Sequence, residues 1–363
     1  MAQSYLENPQ PERRNSPQKA KSYPMQVIKN HSFDKSCKSN DQWKLELSDV
    51  ISSPTKLLSM LHLDSHLSEQ IIESPDFKLR VPRHYVNKMK VGDRHDPLLK
   101  QVLPLIDENQ TSGLIDPVGD LQAMPTPGLH HKYHGRALMI TTGACAIHCR
   151  YCFRRHYPYE KANTKQQHLD STLAYLNEHK EIKEVILSGG DPLVLDDSRI
   201  ANIISALETI EHVQWLRIHT RLPVVLPSRM TESLLTLFSR SRFRITMVIH
   251  TNHANELTDD EFEVFDKIRR HDITLLNQSV LLNGINDDAN TLITLSEKLY
   301  YYGVIPYYLH TLDPVKGAMH FDTSLSKAIE IIDHMREHLP GYLVPKLVKE
   351  EQGKASKTEI FSI

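Results

Sequence analysis

Cysteine is scarce in this chain, and the few cysteines are unevenly placed. Four occur among 363 residues, and three of them fall within the eight positions from Cys145 to Cys152. An odd set of three on one short loop does not suit the disulfide framework of a secreted protein. The fourth, Cys37, lies far from the others along the chain, and we expect it to be a free thiol.

The sequence also lacks an excess of either charge and any long apolar run. Its 43 Lys and Arg residues against 45 Asp and Glu give a net charge of -2, which provides no general attraction for nucleic acid or an anionic membrane. No apolar stretch approaches bilayer length, and residues 1–24 contain no signal-peptide core. We therefore expect a cytoplasmic protein that binds neither nucleic acid nor membrane.

Composition divides the chain into four parts. Residues 1–31 are proline-rich and polar, which predicts a flexible extension. Residues 32–127 carry helical patterns, including Ser53 as a helix cap before Pro54, and predict a helical N-terminal region. Residues 128–323 alternate strand and helix patterns, and residues 324–363 read as a helix followed by a lysine-containing segment.

The repetitive part predicts an α/β fold. Six short apolar runs alternate with amphipathic helical segments: ALMITT, EVILSG, VQWLRIHT, FRITMVIH, ITLLNQSV and VIPYYLH. Successive β-α-β units build a parallel sheet, which is either doubly wound or curled into a partial barrel. Because the cysteine loop follows the first of these strands, where barrel enzymes place their chemistry, we expect a partial (β/α)6 TIM-like barrel.

The three clustered cysteines, Cys145, Cys149 and Cys152, indicate a metal centre. Their C-x3-C-x2-C spacing allows three thiolates to hold three irons of a [4Fe-4S] cluster and leaves the fourth iron open for reaction. A Cys3His zinc site with His148 or His156 is the alternative, although structural zinc sites usually draw on two separate knuckles and no second cysteine pair exists.

The second strand ends in a glycine pair within Ser188-Gly189-Gly190-Asp191. Paired glycines allow a ligand to approach the backbone, free N–H groups there can bind a carboxylate, and Asp191 can accept from an ammonium group. By itself, the Ser-Gly-Gly-Asp segment predicts a turn only weakly.

Together, the cysteine loop and this strand end resemble the radical S-adenosylmethionine (SAM) superfamily. The resemblance implies that the open iron binds SAM, that Tyr151 packs on the adenine, and that Ser188, Gly189, Gly190 and Asp191 hold its aminoacyl part. Four further blocks resemble the lysine 2,3-aminomutase branch: HTRLPVVLPSRMT, GGDPL, NQSVLLNGIND and HFDTSLSKAIEII. That branch converts (S)-α-lysine to (R)-β-lysine.

The resemblance also implies a second cofactor, pyridoxal 5'-phosphate (PLP). Its Schiff-base lysine corresponds to Lys357, with Lys354 and Lys346 as rivals, and a primary amine is the group that this chemistry requires. Arg136 and Tyr133 match the positions that contact the phosphate, where a guanidinium suits a dianion.

For the substrate, Arg154 matches the arginine that holds the lysine carboxylate, and Asp313 matches one of two aspartates that bind the side-chain ammonium. The second aspartate is not apparent, since only glutamates occur in GYLVPKLVKEEQ before Lys357. The zinc-binding C-terminal cysteines of the family are absent as well. These differences from the family argue against strong binding of free lysine.

The segments QWKLELSDVI, LRVPRHYVNKM and LVPKLVKE resemble the branch of the family that serves (R)-β-lysylation of elongation factor P. That resemblance implies a functional link to elongation factor P and its lysyl-tRNA-synthetase-like ligase, and a reductant such as flavodoxin. The alternatives are a free-lysine aminomutase of catabolism or osmolyte synthesis, and a non-catalytic metal-binding interaction module.

Overall fold

The computed structural model describes residues 41–63, 65–72, 77–162 and 166–361. The predicted extension over residues 1–31 and Cys37 lie outside the described residues. Nine strands form one sheet: β1 Leu129–Tyr133, β2 Arg136–Thr142, β3 Glu184–Gly189, β4 Trp215–Thr220, β5 Arg244–His250, β6 Thr274–Val280, β7 Ile305–His310, β8 Lys346–Lys349 and β9 Thr358–Glu359.

The strands lie side by side in chain order from β1 to β9. Neighbours from β2 to β8 pair in parallel, whereas β1 and β9 add antiparallel strands at the two edges. The sheet is therefore open. The six predicted strands correspond to β2 to β7, so the partial (β/α)6 barrel is confirmed, with β8 as an additional parallel strand.

Helices connect the parallel strands and cover one face of the sheet. The described helices are α1 Gln42–Ser48, α2 Pro54–Met60, α3 Ser65–Ser68, α4 Arg83–Val86, α5 Pro97–Lys100, α6 Tyr159–Ala162, α7 Gln166–Glu178, α8 Asp197–Glu208, α9 Leu222–Val225, α10 Glu232–Ser239, α11 Asp259–Arg270, α12 Ala289–Tyr301 and α13 Leu325–His338. The crossover helices α7, α8, α10, α11, α12 and α13 each bury apolar residues, because a crossover between parallel strands must pack back onto the sheet. None of the helices in the described ranges combines the length and apolar character that a membrane crossing requires.

The region before the barrel contains short helices joined by irregular chain. Ser53 caps α2 as predicted, since its side chain accepts a hydrogen bond from the Lys56 amide and Pro54 begins the helix. Trp43, Ile51 and Leu98 are buried in the same hydrophobic core as the barrel strands. Residues 39–363 accordingly form one compact unit, and this region packs as a wall of the barrel.

Candidate active site

A cavity of about 530 Å³ opens at the carboxyl ends of the parallel strands. Connections that follow several different strands contribute its walls, as expected for the functional end of a barrel. All thirteen site residues predicted from the sequence line it: Tyr133, Arg136, Cys145, Cys149, Tyr151, Cys152, Arg154, Ser188, Gly189, Gly190, Asp191, Asp313 and Lys357. Residues more than 200 positions apart in the chain are thus brought to one site.

The cysteine loop is anchored by a buried ion pair. Arg150, within the loop, is fully buried and donates through Nε to the Glu108 carboxylate at 2.6 Å. Arg155 donates to the same carboxylate at 2.7 Å and to the Gly317 carbonyl at 2.8 Å. The Arg150 guanidinium also stacks on Phe77, 4.7 Å from the ring centre. These contacts hold both sides of the loop against the body of the protein.

Backbone contacts hold the cysteine residues more directly. Arg80 donates through Nε to the Cys145 carbonyl at 2.8 Å, and its own carbonyl accepts from the His148 amide at 2.9 Å. The Arg150 amide donates to the Gln101 carbonyl at 2.9 Å. Since Arg80 and Gln101 precede the barrel, the N-terminal wall orients the thiols.

The three thiols suit a cluster better than a single ion. Cys145, Cys149 and Cys152 are free and partly buried. Two ligands of one zinc ion, each about 2.3 Å from the metal, lie at most about 4.6 Å apart. Within the described ranges, the sets of ligand atoms that all lie within 4.8 Å of one another do not include these sulfurs. At least one pair of these sulfurs is therefore farther apart than two ligands of one zinc ion.

The two histidines considered as zinc ligands are engaged elsewhere. His148 Nδ1 lies 2.8 Å from the Lys78 carbonyl, and the ring stacks on Phe77. His156 Nε2 lies 3.0 Å from the Lys316 carbonyl. Each ring therefore uses one nitrogen to fix the loop, and this geometry gives the zinc alternative no support.

Burial and charge shape the chemistry of the thiols. Burial, together with nearby Cys149, raises the pKa of Cys152 to about 11, and burial raises the pKa of Cys145. Arg221 supplies a positive charge here, since its Nη1 donates to Cys149 Sγ at 2.7 Å. Arg221 also pairs with buried Glu256 at 2.8 Å. A bound cation would complete the neutralisation of three thiolates.

Tyr151 forms part of the buried wall beside the thiols. It is 5% exposed, and its hydroxyl donates to Gln101 Oε1 at 3.2 Å and lies 2.8 Å from His250 Nε2. Burial, followed by Arg221, lowers the pKa of His250 to about 3, so this imidazole is neutral. The Tyr151 ring is held in place and lines the cavity, as its predicted contact with adenine requires.

The strand end at Gly189 and Gly190 has a different role from the one expected for its amides. The Gly190 amide donates to the Thr142 carbonyl at 2.7 Å, and the Asp191 amide donates to the Ala144 carbonyl at 2.8 Å. A Cβ at Gly190 would lie 2.2 Å from the Ala144 carbonyl oxygen. The Gly190 and Asp191 amides are therefore not free in this structure, and Gly190 allows the ends of β2 and β3 to pack closely.

Asp191 is likewise occupied within the fold. Its carboxylate accepts from the Leu193 amide at 3.0 Å, from Thr220 Oγ1 at 2.8 Å and from the Arg221 amide at 2.7 Å. These bonds join the end of β3 to the end of β4. In this structure Asp191 positions Arg221, and its acceptance of an ammonium group stays a prediction.

Arg154 and Asp120 form a buried pair on the opposite wall. Arg154 donates through Nε to Asp120 Oδ2 at 2.7 Å and through Nη1 to Ser188 Oγ at 3.3 Å. Lys132 lies 2.5 Å from the same Asp120 carboxylate. Burial alone would raise the pKa of Asp120, but Arg154, His130 and Lys132 outweigh it and lower that pKa. Arg154 is thus fixed in the cavity as a permanent cation.

Lys357 enters the cavity from the C-terminal segment, just before β9. Its Nζ donates to Glu350 Oε2 at 2.5 Å, and Lys132 donates to the other oxygen of Glu350 at 3.0 Å. Burial opposes ionisation of Glu350, but the two lysines outweigh burial and lower the pKa of Glu350 to about 2. The rivals Lys354 and Lys346 do not line the cavity. The structure thus favours Lys357 as the available amine.

Asp313 lies across the cavity as a second carboxyl group. Burial and the nearby charge of Glu350 raise the pKa of Asp313 to about 7. Asp313 follows β7 and Glu350 follows β8, and these strands are neighbours in the sheet. Each carboxylate makes ionisation of the other less favourable. A cation bound beside both of them is therefore stabilised.

Arg136 and Tyr133 lie at the strand turn between β1 and β2. The guanidinium of Arg136 stacks on the Tyr133 ring, 4.7 Å from its centre. Burial and Glu350 raise the pKa of Tyr133, so its hydroxyl keeps its proton. A guanidinium beside a phenol offers several hydrogen-bond donors to an anion.

Several site residues were missing from the sequence-based set. Glu350, Asp120, Lys132 and Arg221 line the cavity and bind predicted residues there. Glu350 stood among the glutamates noted before Lys357, but the sequence did not distinguish it from Glu351, which bonds to Thr358 instead. Asp120 and Lys132 carry no motif that could have identified them. Arg221 lies in the block HTRLPVVLPSRMT, which resembles the aminomutases, but no role was predicted for it.

Comparisons with known proteins agree with this site. The family described as the Radical SAM superfamily matches residues 139–295, which span β2 to α12 and include the cysteine loop. The match and the loop define the class, a radical SAM protein, which implies a [4Fe-4S] cluster and SAM.

Relatives extend the similarity over most of the chain. The L-lysine 2,3-aminomutase of Escherichia coli (strain K12) is 44% identical over 328 residues, covering 89% of this chain and 95% of that protein. The L-lysine 2,3-aminomutase of Haemophilus influenzae is 44% identical, covering 87% of this chain and 94% of that one. That of Clostridium subterminale is 32% identical, covering 88% and 78%. The chain belongs to the L-lysine 2,3-aminomutase family.

Proposed function

We propose that this protein is an isomerase that converts (S)-α-lysine to (R)-β-lysine with a [4Fe-4S] cluster, SAM and PLP. The observation that carries the proposal is that the three cysteine thiols and the Lys357 amine line one cavity. Relatives named for this reaction across most of the chain support it.

The cavity supplies a place for each cofactor. Cys145, Cys149 and Cys152 hold three irons, and Tyr151 contacts the adenine of SAM. Lys357 provides the amine for PLP, while Arg136 and Tyr133 bind its phosphate. When bound, the cluster with SAM would supply a 5'-deoxyadenosyl radical, and PLP would supply a conjugated ring that accepts electron density from the substrate.

The protein's own task is to position the substrate and exclude water. Arg154 binds the lysine carboxylate beside the cysteine loop. Asp313 and Glu350 bind the distal ammonium, so Glu350 takes the place of the second aspartate. Binding of the ammonium favours ionised Asp313, which is costly beside Glu350 in the empty cavity.

We propose further that the β-lysine product serves the modification of elongation factor P through a lysyl-tRNA-synthetase-like ligase, in the cytoplasm and with a reductant such as flavodoxin. The support is the resemblance of the LVPKLVKE segment, which contains strand β8 and ends at Glu350. A glutamate in place of the second aspartate is consistent with weaker binding and slower turnover of free lysine. A modification enzyme tolerates slow turnover better than a catabolic enzyme does.

The decisive test is an anaerobic conversion assay. Reconstituted protein with reductant, SAM and PLP is given lysine that carries 15N at the α-amino group, and NMR locates the label. Label on Cβ supports the proposed reaction. SAM cleavage without label transfer would contradict it and favour another amino acid, or a residue of elongation factor P, as the substrate.

A pair of lysine variants tests the PLP assignment. Lys357→Ala should abolish the visible absorbance that PLP acquires when it is bound to a lysine amine. Lys354→Ala, which removes an exposed amine three residues away, should retain it. Persistence of the absorbance in Lys357→Ala would refute the assignment.

A further inference from the structure

His219 lines the same cavity as the three cysteine thiols and Lys357. It is on β4, two residues after Arg217 and two before Arg221, so these three side chains share one face of the strand or its immediate extension. Arg221 contacts Cys149 at the cluster side. Arg217 pairs with Glu184 at the start of β3, farther from the cluster.

The imidazole of His219 has an unsatisfied nitrogen. Its Nε2 is buried and has no hydrogen-bond partner among the described residues. His250, another histidine of the cavity, differs, because its Nε2 lies 2.8 Å from the Tyr151 hydroxyl. Buried polar atoms are normally paired, and an exception calls for a partner from outside the chain.

The charge state of His219 restricts that partner. Burial, Arg217 and Lys357 lower the pKa of His219 well below its usual range. A neutral imidazole carries one donor and one acceptor nitrogen and adds no charge of its own. It therefore suits a polar atom of a ring or hydroxyl rather than a carboxylate or phosphate, for which Arg154 and Arg136 are available.

We propose that His219 is a positioning residue whose Nε2 hydrogen-bonds to the pyridoxal ring of PLP. The inference rests on the proposed function, since it needs PLP bound through Lys357. Lys357 is the cavity amine whose charge acts on His219, and His219 faces the same space. The bond would fix the tilt of the ring while the phosphate is held at Arg136.

Titration of the full-length protein with PLP tests this without relying on turnover. The dissociation constant is taken from the Lys357-dependent absorbance, with Lys357→Ala as the blank. We expect His219→Leu to weaken PLP binding by about tenfold, the equivalent of one lost hydrogen bond. His219→Gln, which retains a donor and an acceptor, should recover most of the affinity.

A stability measurement separates this role from a structural one. Replacing an unpaired buried polar group with an apolar one of similar size is neutral or stabilising, so PLP-free His219→Leu should melt at or above the temperature of the parent protein. His320→Leu is the matched control, because His320 Nδ1 is also buried without a partner but lies outside the cavity. It should bind PLP as the parent does.

Three outcomes overturn the inference. Equal PLP affinity in His219→Leu and the parent protein overturns this inference and leaves the proposed function standing. A lowered melting temperature without rescue of affinity by His219→Gln shows a structural role instead. Absence of any Lys357-dependent absorbance in the parent protein overturns the proposed function together with this inference.

Discussion

At the scale of single residues, the protonation of Asp313 is linked to the stability of the protein. Its pKa in the folded state, about 7, lies above the ordinary 3.8, so the folded chain binds this proton more tightly than the unfolded chain does. Asp313 therefore contributes stability at low pH that is lost as pH rises toward 7. The ionised Asp313 carboxylate, which we propose binds the substrate ammonium, therefore lowers the stability of the substrate-free protein.

Asp313→Asn should therefore stabilise the substrate-free protein increasingly between pH 4 and pH 7 and level off above that. We expect a gain of about 1 to 2 kcal/mol at pH 8 relative to pH 4, reduced from the full linkage value because Asp313 is only partly buried. Denaturant unfolding at several pH values measures it. A gain in stability that does not vary with pH would show that burial and Glu350 do not raise the pKa of Asp313.

Glu350 and Glu351 provide a matched pair for substrate recognition. Glu350→Gln removes the carboxylate that accepts from Lys132 and Lys357 in the cavity. We expect it to raise the KM for lysine by about tenfold or more, as loss of a charged hydrogen bond implies. Glu351→Gln, which alters a carboxylate outside the cavity, should change KM little. Similar effects of both variants would count against Glu350 as the second acid.

At the scale of the element, the cysteine loop owes its shape to Glu108. This carboxylate is 6% exposed and accepts from Arg150 and Arg155, which lie on either side of Cys152. Glu108→Gln leaves two buried guanidinium groups without their anion. Removing one partner of a buried ion pair costs about 3 to 5 kcal/mol, and the loop should lose the geometry that binds iron.

We therefore expect Glu108→Gln to unfold at clearly lower denaturant concentration and to take up less iron and sulfide on reconstitution. Asp49→Asn is the control, since it breaks an exposed pair with Arg83, which is worth at most about 1 kcal/mol. Normal iron content in Glu108→Gln would show that the loop is shaped by its backbone contacts alone.

At the scale of the whole molecule, the N-terminal wall and the barrel share one core. The two tryptophans test this because they lie in different environments: Trp43 is 4% exposed, while Trp215 is 48% exposed. Trp43 packs under Arg229, whose guanidinium lies 4.3 Å from the ring centre. Unfolding of the wall should therefore require unfolding of the barrel.

Trp43→Ala should destabilise the protein by about 3 to 5 kcal/mol, as expected for a buried aromatic side chain, whereas Trp215→Ala should cost less than about 1 kcal/mol. In Trp215→Phe, Trp43 is the one remaining tryptophan, and its fluorescence should change at the same denaturant concentration as the circular dichroism. Separate transitions would show that the wall is an independent unit.

The sequence by itself determined the features that depend on local pattern. The alternation of apolar runs and amphipathic helices predicted β2 to β7, because strand and helix periods are written in neighbouring residues. The spacing of Cys145, Cys149 and Cys152 indicated a cluster loop, and its place after a strand located the functional end. Resemblance added Lys357, which no local pattern distinguishes from other lysines.

Only the tertiary structure decided which side chains meet across the cavity. It placed Glu350 and not Glu351 in the cavity, Asp120 between Lys132 and Arg154, and the Asp191 carboxylate against the Arg221 amide. Its contacts join positions from seven to more than two hundred residues apart, such as Lys132 and Glu350. A local period carries no information about such pairs, because the pairing of strands in the open sheet and the packing of the N-terminal wall bring them together.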